Sequence, residues 1–383
     1  GRENEIAAFT PQTAWRASVT FLQDGVRFRA PVLNAKGTPL TLRSEAQARQ
    51  LEVLLRTGTF WIEQTGQTLK TLPAPGALTL IELVERAARD LALTPERVLS
   101  LKATLYEAGW ITHPDAELPA SLSDAAQVWI RREHGTDYLN ADTRIQSGIA
   151  PTDVSRIPEA RPGDGAALYG LIWRSFIAAH MMPTQNRLLN ARIRAGSTHG
   201  SPYPLELRAM QTFPYFDGWR RVLPTPETDT STLPVFAESS KLRMAEVVIE
   251  AVASEPPRRF TRAALIGALA DTGSNVEPAV SALAGLLTAE CLSGDEHMTL
   301  TETGLIVAAW LADAFGELTS LSYAAGLHAE ISSIASGETE RLDVLRAFWS
   351  RCREALPQTY APTVTSTPAF AYKPIVLRPF EGG

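Results

Sequence analysis

Apolar positions along this chain recur at two spacings, and the change from one to the other outlines its parts. From Trp15 to Leu22 and from Val26 to Val32 apolar and polar residues alternate, the period of a half-buried strand, with Gly25 as the turn. Arg2 to Phe9 ahead of them reads as a helix tail. Thr41 has the look of an N-cap for a helix over Ser44 to Thr57, and Thr59 to Gln64 reads as a third strand. Leu72-Pro73-Ala74-Pro75 is a stiff linker, after which the period changes to that of a helix. Leu80, Leu83, Val84, Ala87, Ala88 and Leu91 form one stripe on Thr79 to Leu91. Thr94-Pro95-Glu96 opens a second helix, whose Val98, Leu101, Leu105 and Ala108 are expected inside and which Gly109 stops. Trp110-Ile111-Thr112 is a short β-prone run that delivers His113 onto a turn before Pro114.

Further on, Leu122-Ser123 is expected to cap a helix from Asp124 to His134, ending at Gly135. Leu168, Leu171, Ile172, Phe176 and Ala179 make the stripe of a core helix that Pro183 terminates. Pro224 to Pro234, rich in Pro, Thr and Asp, reads as a linker or surface loop. Thr261 caps a helix over Arg262 to Asp271. Gly273-Ser274-Asn275 then turns into a helix over Val276 to Ala289, and His297 to Leu300 is a short strand. Helix, turn, helix and wing in that order is a winged-helix pattern. Three more amphipathic helices follow, Leu305 to Phe315, Tyr323 to Ser336 and Arg341 to Ala355.

These elements predict a multidomain α+β fold, mainly α. A β-rich domain takes residues 1–75 and 190–240, and a helical domain takes 76–189. A helical base domain with the winged-helix pattern takes 241–356, and 357–383 is an extended tail that could serve a partner as a strand.

Composition narrows the function. With 383 residues, 45% apolar and 20% charged, the chain can bury sizeable cores. No run of eighteen apolar residues and no basic-then-apolar leader is present, so no membrane partner is expected and the expected location is cytoplasmic. Cys291 and Cys352 lack metal-ligand spacing. A net charge of −6 means that any nucleic-acid contact must rest on local basic faces.

The run Leu105 to Thr112, LYEAGWIT, resembles the helix and strand that lead to the active-site tyrosine of type IA DNA topoisomerases. Arg2, Glu3, Glu5, Ile6, Ala8, Phe9, Pro11 and Trp15 match the family's entry into its β-rich hinge. Leu168 to Pro183, LYGLIWRSFIAAHMMP, is similar to its Leu-Tyr-x-Leu-Ile-Trp helix, and Phe216 to Pro224 to its return into the hinge. Ile149, Pro151, Thr152, Asp153 and Val154 match the loop that carries an assisting histidine, and the Pro256 to Thr261 stretch matches the start of the base domain. Ile331, Ile334, Ala335 and Gly337 match the family's closing helix end. The resemblance covers about residues 2 to 355 in family order and implies a toroidal core of hinge, tyrosine and base domains.

The residues that do the family's chemistry are replaced. His113 stands at the nucleophilic tyrosine, Asp115 at its arginine, Gln146 at the assisting histidine, and Ala150 and Glu277 at two further arginines. Tyr106 belongs to the helix stripe and is expected in the core. Tyr138, on the turn after Gly135, is the phenol that could stand in. The family's Mg2+ site belongs to a Toprim domain that precedes this region in family members. No Glu near an Asp-x-Asp run occurs here, so no cofactor is expected in this chain.

The resemblance thus implies a protein that binds DNA, single-stranded by preference, but has lost strand cleavage, as a clamp or assembly subunit. Arg174, Arg258, Arg259 and Arg262 with Phe260 are the candidate DNA-binding residues. The alternatives are a subunit or fragment of an active topoisomerase whose Toprim part lies elsewhere, and a protein-interaction scaffold. A Toprim-containing or other protein is accordingly a candidate partner.

Overall fold

The computed structural model describes residues 2–34, 36–158, 162–225, 233–271, 275–294 and 296–359. In chain order the first elements are α1 (Arg2–Ala7), β1 (Thr13–Gln23), β2 (Val26–Leu33), β3 (Thr41–Leu42), α2 (Glu45–Thr57) and β4 (Thr59–Leu72). The chain then turns helical through α3 (Leu80–Leu91), α4 (Pro95–Glu107), α5 (Ala120–Glu133) and α6 (Asp164–Ala179). It returns to extended structure in β5 (Thr184–Thr198), β6 (Ser201–Phe216) and β7 (Lys241–Ala253). There follow α7 (Arg262–Ala270), α8 (Val276–Thr288), the ribbon β8 (Leu292–Ser293) with β9 (Thr299–Leu300), and α9 (Glu302–Phe315), α10 (Leu321–Ala335) and α11 (Arg341–Thr359). Residues up to 271 and 275–301 form one compact unit, and 302 onward belong to a second.

The strands run in the order β2-β6-β5-β4-β7-β1-β3, and β1 also pairs with β2. Six strands therefore close on themselves as an antiparallel barrel, which leaves few open edges. Ala191, Ile193 and Ala195 of β5, Leu207 and Ala209 of β6, and Val19 and Phe21 of β1 fill it together with Leu51 and Leu55 of α2. Arg192 and Arg194 alternate with that buried set, and both contact the Glu63 carboxylate at 2.7 and 2.9 Å. The long pair β5–β6 was not among the expected strands, although its Ala-Arg-Ile-Arg-Ala and Leu-Glu-Leu-Arg-Ala alternation carries the signal.

Several boundaries differ from the sequence reading. Strand β4 runs through to Leu72, because β5 offers it a full antiparallel partner as far as Thr184. The barrel takes in Lys241–Ala253, which the reading placed in the base domain, because β7 pairs with β1 along ten residues. Phe216 ends β6, and Gly218–Arg221 is a 3-10 turn, not a strand. Ser44 caps α2 by accepting from the Gln47 N–H, while Thr41 lies in β3, too far back to reach it. Helix α5 starts at Ala120 after Pro119, whose fixed φ presets the first turn, so Leu122 and Ser123 are buried inside it. Helix α11 continues to Thr359; the tail from 360, residues 226–232 of the linker and 272–274 of the turn lie outside the described residues.

Helix α6 is the centre of the helical domain. Leu168, Leu171, Ile172, Phe176 and Ala179 are buried as expected, and so are Tyr169, Trp173 and Ile177. The helix stops at Ala179, short of Pro183, because the buried His180 takes over. Its Nδ1 lies 2.9 Å from the Phe176 carbonyl and its Nε2 lies 3.0 Å from Ser123 Oγ. A carbonyl only accepts, so Nδ1 carries the proton and Nε2 accepts from the serine hydroxyl. Ser123 Oγ also accepts from the Ile145 N–H at 3.3 Å, tying a loop to this core.

Barrel and helical domain meet at Gly218, Trp219 and Tyr138. The Tyr138 hydroxyl donates to Asp217 at 2.8 Å, and the Trp219 indole donates to the Leu72 carbonyl at 3.3 Å. Gly218 has φ +50, and a Cβ there would fall 2.5 Å from the Met182 carbonyl oxygen. Helices α7 and α8 pack on α3 and α4 through Ile266, Val280 and Leu283 against Ile81 and Leu99. In the second unit, α9, α10 and α11 follow one another, and among the described residues no single helix is long and apolar enough to cross a membrane.

Gly218→Ala combines a left-handed φ with a backbone clash and should cost about 2–4 kcal/mol in urea unfolding, as a fall in midpoint. Burial holds the His180 pKa below its ordinary value, and burial followed by Arg221 does the same to His134. The unfolded chain therefore binds protons first as pH falls. Stability should be complete above about pH 6.5 and decline from there towards the lower folded values. His180→Gln should lower stability at pH 7.5 but flatten this slope in melting curves taken between pH 5 and 7.5.

Candidate functional site

Helix α4 ends on the Gly109 stop, at φ +69, with the Trp110 N–H donating back to the Leu105 carbonyl at 2.9 Å. Ile111 then bridges to Pro151, and the Thr112 hydroxyl accepts from the Ala150 N–H at 3.0 Å. On the other side, the Leu118 N–H donates to the Gln146 carbonyl at 2.8 Å. The turn that carries His113 and the loop that carries Gln146 are thereby stitched together, with His113, Asp115 and Gln146 between the stitches. All three line one cavity of about 770 Å³, with Arg144, Thr79 at the cap of α3, and Asn275 to Pro278 at the start of α8.

Within it, His113 Nδ1 accepts from the Asp115 N–H at 3.3 Å and lies 3.8 Å from the Asp115 carboxylate. In the neutral ring the proton is then on Nε2, so no lone pair is free there for attack. Arg144 is 3.2 Å from Asp124. Glu277 is held by Lys102, whose Nζ is 2.6 Å from a carboxylate oxygen and which is buried in α4. This pair pins α8 to α4. It also turns the inner face of α4: Pro95, Val98 and Lys102 are buried, while the expected Ala108 is exposed. Lys102 was missed because a lysine beside an apolar stripe reads as solvated. Arg144 and Asn275 were missed because nothing local marks a loop residue as cavity lining.

Neither Tyr106 nor Tyr138 lines this cavity. Tyr106 is 48% exposed, not core, and stands edge-on to His113 at 5.6 Å, but it lines a separate small cleft with Lys102. The Tyr138 hydroxyl is committed to Asp217, a bond that raises its pKa, with burial second. Among the described residues no three His, Cys, Asp or Glu side chains converge on a point fit to hold a metal ion. The family's Mg2+ does not fit this donor set: Glu277 is tied to Lys102, and Asp115 stands 91% exposed beside a single imidazole.

The candidate DNA-binding cations are dispersed and partly neutralised. Arg258 is 86% exposed and 3.8 Å from Glu255, and Arg259 donates twice to the Glu3 carboxylate at 2.9 and 3.1 Å. Arg262 lies 4.0 Å from Glu96, and Phe260 is covered by Arg2 at 4.6 Å. Arg174 lies half-buried along α6 over Gly170, its pKa lowered by burial. No described contact joins it to the other four.

Comparison with known proteins places these features in a family. The family model described as DNA topoisomerase matches residues 1–346. DNA topoisomerase 1 of Haemophilus influenzae is 27% identical over 370 residues, covering 91% of this chain and 42% of that protein. That of Pseudomonas aeruginosa is 25% identical over 414 residues, covering 100% of this chain and 47% of the other. The chain thus spans less than half the length of these curated relatives. The structure of full-length topoisomerase I from Thermotoga maritima superposes with a TM-score of 0.77 at 22% identity, over 92% of this chain and 60% of that one, a likeness of fold. The chain belongs to the DNA topoisomerase family, and what it carries is a type IA topoisomerase core.

Proposed function

We propose that this chain binds single-stranded DNA and does not cleave it. The observation that carries the reading is the composition of the 770 Å³ cavity: His113, Asp115 and Gln146 converge there, and no tyrosine lines it. Cleavage by a covalent route needs a nucleophile and cations where negative charge develops on phosphorus. Here the imidazole Nδ1 is occupied by a backbone N–H, and the Asp115 carboxylate stands 3.8 Å from it. An anion at that place opposes the transition state. A bound strand would instead be held by Arg144 at the cavity and by Arg258, Arg259 and Arg262 with Phe260 at the start of α7, with Arg174 as a separate contact. Helix α7, helix α8 and the β8–β9 ribbon would act as a winged-helix module. The role is that of a DNA clamp or assembly subunit. A second reading, a subunit of an active enzyme whose metal-binding part is supplied elsewhere, draws on the greater length of the relatives.

The purified chain should form no covalent adduct with a labelled single strand, with or without magnesium, in a denaturing gel. A covalent band mapping to His113, Tyr106 or Tyr138 would overturn the reading. His113→Tyr alone should not restore cleavage, since Asp115 and Gln146 remain. Arg258→Ala with Arg259→Ala should weaken single-strand binding and reduce the salt slope by about 1–2 in a titration from 50 to 200 mM salt. An unchanged slope would remove this face from the proposal.

A further inference from the structure

Trp110, which opens the run leading to His113, lines a second cavity of about 580 Å³. Trp110, Arg156 and Tyr169 shape it, with Leu105 below, Ile157 at its rim, and Gly165 at the start of α6 leaving room. Trp110 is 40% exposed, although its neighbour Ile111 is buried. The Arg156 guanidinium sits over the indole at 5.3 Å, and the Tyr169 ring meets it edge-on at 5.1 Å and 81°. None of the three is loose. Arg156 Nη1 donates to the Gly109 carbonyl at 3.0 Å, and the Tyr169 hydroxyl donates to the Arg156 carbonyl at 2.7 Å.

We propose that this cavity receives an unpaired nucleobase, packed against the exposed Trp110 indole with the Arg156 guanidinium beside it, while the buried Tyr169 ring braces the indole edge-on. The proposal rests on the single-strand reading above and names where a base, as distinct from a phosphate, is held. Charge decides between those two groups. Asp153 lies 3.7 Å from Arg156 Nε, which leaves little net positive charge for a phosphate. Its carboxylate is kept ionised by hydrogen bonds from the Ser155 hydroxyl and N–H. A neutral aromatic ring meets no such penalty, and stacking on indole and guanidinium planes suits any base. The Ser155 hydroxyl and N–H and much of the Arg156 guanidinium are already engaged, so base identity should matter little. A paired base, stacked within a duplex, cannot enter. Trp110 and His113 are three residues apart, at most ~11 Å of backbone, so one strand can serve both cavities.

The test is fluorescence anisotropy with a labelled twelve-nucleotide oligothymidylate, the same strand with abasic sites, and a duplex of equal length. Trp110→Ala should weaken oligothymidylate binding by about tenfold or more with an unchanged salt slope, and Trp110→Phe should retain most of it. The abasic strand should bind the wild type and Trp110→Ala alike. Circular dichroism of both variants separates lost stacking from lost folding. Equal binding of oligothymidylate by wild type and Trp110→Ala overturns the proposal, as does an equal loss on the abasic strand. If the wild type binds no single strand, it is the functional reading that fails. Titration with free thymidine then judges the cavity: quenching absent in Trp110→Phe supports a site for a free nucleobase, and no Trp110-dependent quenching overturns it.

Discussion

The burial of α6 is the constraint on which the rest of the first unit depends. Each large apolar side chain taken out of water there contributes about 1.5–3 kcal/mol, and the helix presents Leu168, Leu171, Ile172, Trp173, Phe176 and Ile177 in sixteen residues. Such a helix cannot stand at a surface, so α3, α4, α5 and the following loops must enclose it. The enclosure is polar as well as apolar. The Trp173 indole donates to the Val154 carbonyl at 3.1 Å, and His180 reaches Ser123, which holds the Ile145 N–H. The loop carrying Gln146 is hung from α6 by these bonds, and the site inherits its position from the core.

The cavity combines a frame of main-chain bonds with a separately arranged set of charges. The bonds from the Thr112 N–H to the Ala150 carbonyl and from the Leu118 N–H to the Gln146 carbonyl use main-chain groups, which survive side-chain exchange. The side chains they present are another matter. Glu277 at the start of α8 would be an unpaired anion facing the cavity were it not for Lys102, which is buried against it at 2.6 Å. Removing Glu277 would leave the Lys102 ammonium buried and charged, whereas Glu277, exposed, would return to solvent if Lys102 were removed. The Lys102–Glu277 pair commits α8 to α4.

The barrel answers a different demand. Strands as long as β4, β5 and β6 carry many backbone groups, and closure through the β1–β2 pairing gives each a partner. The joint to the helical domain is made where three chain passages cross, at Leu72, Met182 and Gly218. Only glycine fits the last of these, since both its φ and the nearby Met182 and Pro183 carbonyls exclude a Cβ.

Much of this was legible in the residues. Thr94 and Thr261 each cap a helix as their positions predict, and Gly109 stops one in the left-handed region, because capping is a matter of a few neighbouring residues. The α6 stripe was legible for the same reason, as was the family itself, whose model matches residues 1–346. What stayed hidden depends on partners distant in sequence. The length of β4 follows from β5 more than a hundred residues later, the burial of Lys102 from Glu277, and the exposure of Tyr106 and Trp110 from the way α4 meets α6 and α8. Local propensity determines where an element starts and which face could be apolar. Only tertiary packing decides how far a strand finds a partner and which charged or aromatic side chain is left facing a cavity.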